Sequence, residues 1–107
     1  MRAVYKQPGH VPEIIDLDNE LVPIQGFIGG YIETVPLDGD FLLICNEEGK
    51  LLGLEPNIFL ISGTDVDEIV GPILVVKNNG EEFGELTEEE ANKVCSIVGG
   101  SGIWRLK

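Results

Sequence analysis

The sequence predicts an α+β domain with a small, mostly antiparallel sheet and one or two helices packed on one face. Three observations carry that expectation. Short apolar runs are separated by turn dipeptides such as Pro8-Gly9, Asp38-Gly39 and Asn79-Gly80. The stretch around residues 87–98 repeats its apolar positions with helical spacing. With 107 residues, 43% of them hydrophobic, the chain is long enough for one core, so a single domain over residues 1–107 is expected.

Arg2 to Lys6 reads as a first strand, turned by Gln7-Pro8-Gly9-His10 into a second strand at Val11 to Asp16. Asp16, Asp18 and Asn19 are cap candidates for a short helix through Leu21, Val22, Ile24, Phe27 and Ile28, which Gly29-Gly30 stops. Pro23 fits there only in the first turn, where its missing N–H costs little. Tyr31 to Leu37 is expected to be a strand, and Asp38-Gly39 a tight type I′ turn into Phe41 to Cys45. That run is apolar on both faces, as a central covered strand would be.

Glu47-Glu48-Gly49-Lys50 is a turn, after which Leu51 and Leu52 are expected to start a further strand. Pro56 makes Leu54 to Asn57 an irregular loop. Ile58 to Ile61 is another apolar stretch, and Val66, Ile69 and Val70 have the spacing of one helical turn. Ile73 to Lys77 is a strand, closed by Asn78-Asn79-Gly80 and answered by Glu81 to Gly84. Thr87 with Glu90 forms a capping box, and Ala91, Val94, Cys95 and Val98 fall at i, i+3, i+4 and i+7, so the clearest helix begins at Thr87 and ends at Gly99-Gly100. Residues 101–107 supply an edge strand.

Charge narrows the partners. The chain has 7 Lys plus Arg against 19 Asp plus Glu, a formal charge of −12. Direct binding to nucleic acid or to an anionic membrane is therefore opposed at long range. Cys45 and Cys95 are expected to be reduced core residues, with neither disulfide nor zinc spacing. The N-terminus lacks the apolar core of a signal peptide and no apolar run has the length of a membrane span, so a cytoplasmic location is expected.

Catalytic signals are weak. His10, the single histidine, lies in a turn. Asp65, Asp67 and Glu68 lack the calcium-loop pattern, and Glu88 to Glu90 have a structural reason to sit in a helix first turn. The glycines match no dinucleotide or P-loop fingerprint. No cofactor, metal or catalytic residue is assigned, and the protein is read as a non-enzyme. Gly29-Gly30 ahead of Tyr31 would allow close backbone approach and an anion-holding nest. Trp104 beside Arg105 suggests an interface or pocket rim, with the arginine available to a phosphate.

The blocks Gly29-Gly30-Tyr31-Ile32-Glu33-Thr34-Val35-Pro36-Leu37 and Asn46-Glu47-Glu48-Gly49-Lys50-Leu51, followed by Pro56-Asn57, Ile69-Val70-Gly71 and Leu86-Thr87, resemble a family of bacterial, phage and mobile-element proteins catalogued as domain of unknown function 3846. Where that family continues Pro-Asn-Arg, this chain has Ile58. The resemblance implies a small accessory protein. Its phage setting implies counter-defence: a protein that sequesters a small nucleotide immune signal, cyclic ADP-ribose-like or a cyclic dinucleotide, as a homo-oligomer in the host cytoplasm. The ligand-binding candidates are then Gly29, Gly30, Tyr31, Glu33, Asn46, Asn57, Trp104 and Arg105. The alternative is an acidic inhibitor that mimics nucleic acid and occupies a defence or restriction protein.

Overall fold

In the computed structural model, which describes residues 1–106, strands β1 (Arg2–Lys6) and β2 (Glu13–Asp16) form the expected opening hairpin. Helix α1 (Leu21–Ile28) follows, then β3 (Ile32–Pro36), β4 (Phe41–Asn46), β5 (Pro56–Ser62), β6 (Asp65–Val70), β7 (Ile73–Asn79), β8 (Glu82–Gly84), α2 (Glu88–Gly99) and β9 (Ile103–Leu106). The class is α+β. Strands run in the order β2-β1-β7-β4-β3 in the larger sheet, with β8 paired to β7, and β6-β5-β9 form a second sheet. All pairs are antiparallel except β5 with β9, which run parallel.

The two faces of the larger sheet are both covered, which the side-chain alternation of a strand makes explicit. Leu42 and Ile44 of β4, Leu74 and Val76 of β7 and Ala3 of β1 pack with Ile24 and Ile28 of α1. Leu43 and Cys45, Ile73 and Val75, and Val4 point the other way, toward Ala91, Val94 and Val98 of α2 and toward Ile58, Leu60 and Trp104 of the second sheet. The helices thus lie on opposite faces, which corrects the expectation of one face. The reason is β4 itself, buried along its whole length and in need of cover on both sides.

Other departures have local causes. Leu51 and Leu52 are not a strand. Successive turn hydrogen bonds from Gly49 N–H to the Asn46 carbonyl, Leu52 N–H to Glu48 and Leu54 N–H to Gly49 coil residues 47–53 and leave both leucines exposed. Val66, Ile69 and Val70 belong to β6 rather than to a helical turn, because β5 offers a ladder to pair with. Pro56 opens β5 instead of leaving a loop, and a register shift between Pro56 and Ile58 accommodates it. The Asp38-Gly39 turn is a three-residue 3-10 turn at Asp38–Asp40, with Gly39 and Asp40 at positive φ. The N-cap of α1 is Glu20, which makes no side-chain cap, so Asp16, Asp18 and Asn19 do not fill that role; Asp16 instead accepts from the N-terminal ammonium at 2.6 Å. The capping box of α2 forms as expected.

Candidate functional site

Helix α1 is apolar almost all round, yet it buries only Ile24 and Ile28. A helix hydrophobic on every side is ordinarily enclosed. Here Leu21 and Val22 face solvent, Val22 being 78% exposed. Val22, Gln25 and Gly29 follow each other along one stripe by the i, i+3 and i+4 spacing of a helix. That stripe runs into a concavity of about 210 Å³ lined by Gln25, Gly29, Gly30, Tyr31, Asn46, Glu48 and Leu52.

Each wall has a structural origin. Gly29 takes the left-handed conformation that ends the helix, φ 85°, which a side chain would oppose. Gly30 lets the chain pass close to Asn46, since a Cβ there would lie 3.2 Å from the Asn46 amide nitrogen and crowd it. Asn46, buried at the end of β4, accepts from Glu48 N–H at 2.8 Å and donates to the Ile28 carbonyl at 3.5 Å, so it braces the floor. Tyr31, 65% exposed, stands over the floor, and Leu52 closes the far side.

Gly29, Gly30, Tyr31 and Asn46, four of the expected ligand residues, therefore converge. Their chemistry differs from the expectation. The Gly29 and Gly30 N–H groups both donate to the Gln25 carbonyl, at 2.7 and 3.2 Å, and are spent on the helix end. That end is the negative pole of the helix, where an anion is disfavoured. The nest reading of Gly29-Gly30 is corrected accordingly.

Glu33 lines a neighbouring groove of about 400 Å³, which Asn46 also lines, together with Cys45, Lys50, Asp67 and Glu68. Lys50 is turned onto Asp67 at 3.2 Å, so its charge is answered locally. Burial pushes the Cys45 thiol up to about 11, with Glu33 and Asp67 adding to the effect. The thiolate is thus disfavoured at neutral pH. Among the described residues, no three or more His, Cys, Asp or Glu side chains are grouped to hold a metal ion, and no helix is long and apolar enough to cross a membrane.

The remaining candidates are structural or separate. Asn57 accepts from Lys6 Nζ at 2.6 Å and donates to the carbonyls of Lys6 and Gly71, so its polar atoms are committed within the fold. Trp104 and Arg105 both line a concavity of about 390 Å³ with Ile97, Ser101 and Ile103, but Trp104 contributes little surface to it. Paired beside Leu60, Trp104 is only 4% exposed and meets Phe41 edge-on at 5.7 Å. Arg105 is exposed and, one residue on, points to the opposite face of the strand.

A family model described as domain of unknown function (DUF3846) matches residues 1–99. The chain belongs to this family. No curated protein and no solved structure matches it. For this DUF3846 protein the concavity is the meeting point of the two family-like blocks, Gly29 to Leu37 and Asn46 to Leu51. Gln25, Leu52 and Val22 escaped the sequence reading. Their signal was an apolar helix with a single uncharged polar residue, Gln25, and an apolar pair stranded between Lys50 and Gly53.

Proposed function

We propose that this protein is a non-catalytic inhibitor that binds another protein through the face formed by Val22, Tyr31 and Leu52. The observation that carries the reading is an exposed apolar centre with acidic residues beside it. Tyr31, just before β3, and Leu52 of the 47–53 coil are exposed and line one concavity with Glu48, and the exposed Val22 lies one helical step from Gln25 in its wall; Glu20 and Glu47 are close by in sequence. Exposed apolar patches with polar rims are characteristic of protein-binding surfaces. The acids and the charge of −12 select a partner that is basic around an apolar anchor, and steer its approach. In the phage and mobile-element setting of the family, such a partner is a defence or restriction protein with a basic nucleic-acid-binding surface. Apolar anchoring takes the place of a phosphate-like array, since the carboxylates are spread over β2, β6, β8, the 47–48 turn and the first turn of α2.

A second reading has its own support. Tyr31 offers a ring face beside the Gln25 amide, and few acids line that concavity, so the base of a small nucleotide signal could stack there and be sequestered intact. The volume is below the roughly 300 to 1,000 Å³ of small-molecule sites, and the backbone donors are engaged, which is why the protein-directed reading stands first.

One experiment separates them. The purified protein is incubated with cyclic ADP-ribose isomers and cyclic dinucleotides while its melting temperature is followed, and in parallel with purified basic defence and restriction enzymes whose activity is followed. Inhibition of one such enzyme in a complex that weakens with salt, with no nucleotide raising the melting temperature, is expected. A nucleotide that stabilises the fold and returns intact on heat denaturation would establish sequestration instead. A nucleotide returned cleaved would make the protein an enzyme.

A further inference from the structure

The second sheet has one face in the core and one outside. Ile58, Leu60, Ile69 and Trp104 point inward. Alternation along each strand then puts Phe59 and Ile61 of β5, Val66 and Glu68 of β6, and Ile103 and Arg105 of β9 on the outer face. The registers order them into two rows across the sheet: Glu68, Phe59, Ile103 and, beside it, Val66, Ile61, Arg105. The centre is apolar. Val66 is 62% and Phe59 37% exposed, although a sheet face left to solvent is ordinarily polar.

The charges on this face are informative. Among the described residues it carries one acid and one base, at diagonally opposite corners, which balance each other on a chain of charge −12. Two like-charged copies meet with least repulsion across such a surface. The corner arrangement is also self-complementary: a twofold axis lying in the interface and bisecting the Glu68–Arg105 line sets Arg105 of each copy against Glu68 of the other, and packs the apolar rows together.

We infer that the outer face of the β6-β5-β9 sheet is the contact surface of a twofold symmetric homodimer of this chain. This surface shares no residue with the Val22, Tyr31 and Leu52 face.

The test is the mass in solution of the full chain across a concentration series, by sedimentation velocity, for wild type, Glu68→Arg, Arg105→Glu and the double exchange. Wild type is expected to sediment as a dimer. Each single reversal places like charges together at both corner pairs and is expected to weaken association by roughly tenfold or more, and the double exchange to restore it. Phe59→Ser, at a partly exposed position, should give a monomer with unchanged circular dichroism. A wild type that is monomeric throughout, or a double exchange as weak as the single reversals, would overturn the inference.

Discussion

Lys6 and Asn57 form a polar bridge between the two sheets. The Lys6 ammonium, at the end of β1 in the larger sheet, donates to Asn57 Oδ1 at 2.6 Å, and the Asn57 amide nitrogen donates back to the Lys6 carbonyl and to that of Gly71. Lys6 is buried, and burial lowers its affinity for the proton it carries. The register shift of β5 between Pro56 and Ile58 is where Asn57 reaches it.

Replacing Asn57 by alanine leaves a buried ammonium without its side-chain acceptor and removes the donor to two carbonyls. A loss of about 2–4 kcal/mol is expected, lowering the melting temperature by roughly 10 °C or more. Thermal unfolding followed by circular dichroism checks this. An unchanged melting temperature would show that the bridge contributes nothing.

Thr87 accepts from Glu90 N–H at 3.1 Å while the Glu90 carboxylate accepts from Thr87 N–H at 2.9 Å. Thr87→Ala should cost about 1 kcal/mol, a fall of roughly 4–8 °C. Urea unfolding should show a lower midpoint with the same slope; a shift below about 0.3 kcal/mol would contradict a stabilising cap.

Glu90 also takes a hydrogen bond from Lys77, which, with the bond from the Thr87 backbone, holds its carboxyl below the ordinary value of 4.5. A carboxyl with a lowered folded-state pKa adds stability that is present above pH 4.5 and lost as pH falls through the lowered value. Glu90→Gln should therefore flatten part of the acid limb of the stability profile. Parallel acid limbs in the two proteins would contradict the assignment.

Cys45 acts at the other end of the scale. Its thiol ionises near 9.0 when unfolded and at about 11 in the fold, so between those values the unfolded chain releases the proton first. Stability attributable to Cys45 is complete below pH 9 and is lost as pH rises toward 11. Lys6, with its lowered folded-state pKa, works in the opposite sense below its ordinary 10.5, which makes a difference measurement necessary. The gap in unfolding midpoint between wild type and Cys45→Ala should shrink as pH rises from 9.0 to about 11. A constant gap would contradict the buried thiol.

The sequence made legible those elements whose local signals agree with their tertiary setting. The α2 capping box, the Gly29 stop of α1 and the two-faced β4 all follow from residues within a few positions of one another. What escaped it depended on distant partners. Residues 65–70 carry helix-like spacing, but β5 supplies a ladder and β6 is a strand. Trp104 near the chain end suggested exposure, and only its pairing beside Leu60 shows why it is buried. Gly29, Gly30, Tyr31 and Asn46, expected together from the sequence blocks, line one concavity because the helix stop and the β4 end meet through the β3-β4 hairpin. Gln25 and Leu52 were not expected there, since nothing local marks an apolar helix face or a coiled turn as unpartnered.

The proposed functional surface is the exposed face of Val22, Tyr31 and Leu52. The most direct measurement compares wild type with the Tyr31→Ala, Leu52→Ala double variant for protection of an infecting phage against a host restriction or defence system, with melting temperature recorded on the same proteins. Both side chains are largely exposed, so stability should change by no more than about 0.5 kcal/mol per site. The expected result is protection by wild type and its loss in the variant, with a comparable melting temperature. A variant that protects as well as wild type would contradict the central claim.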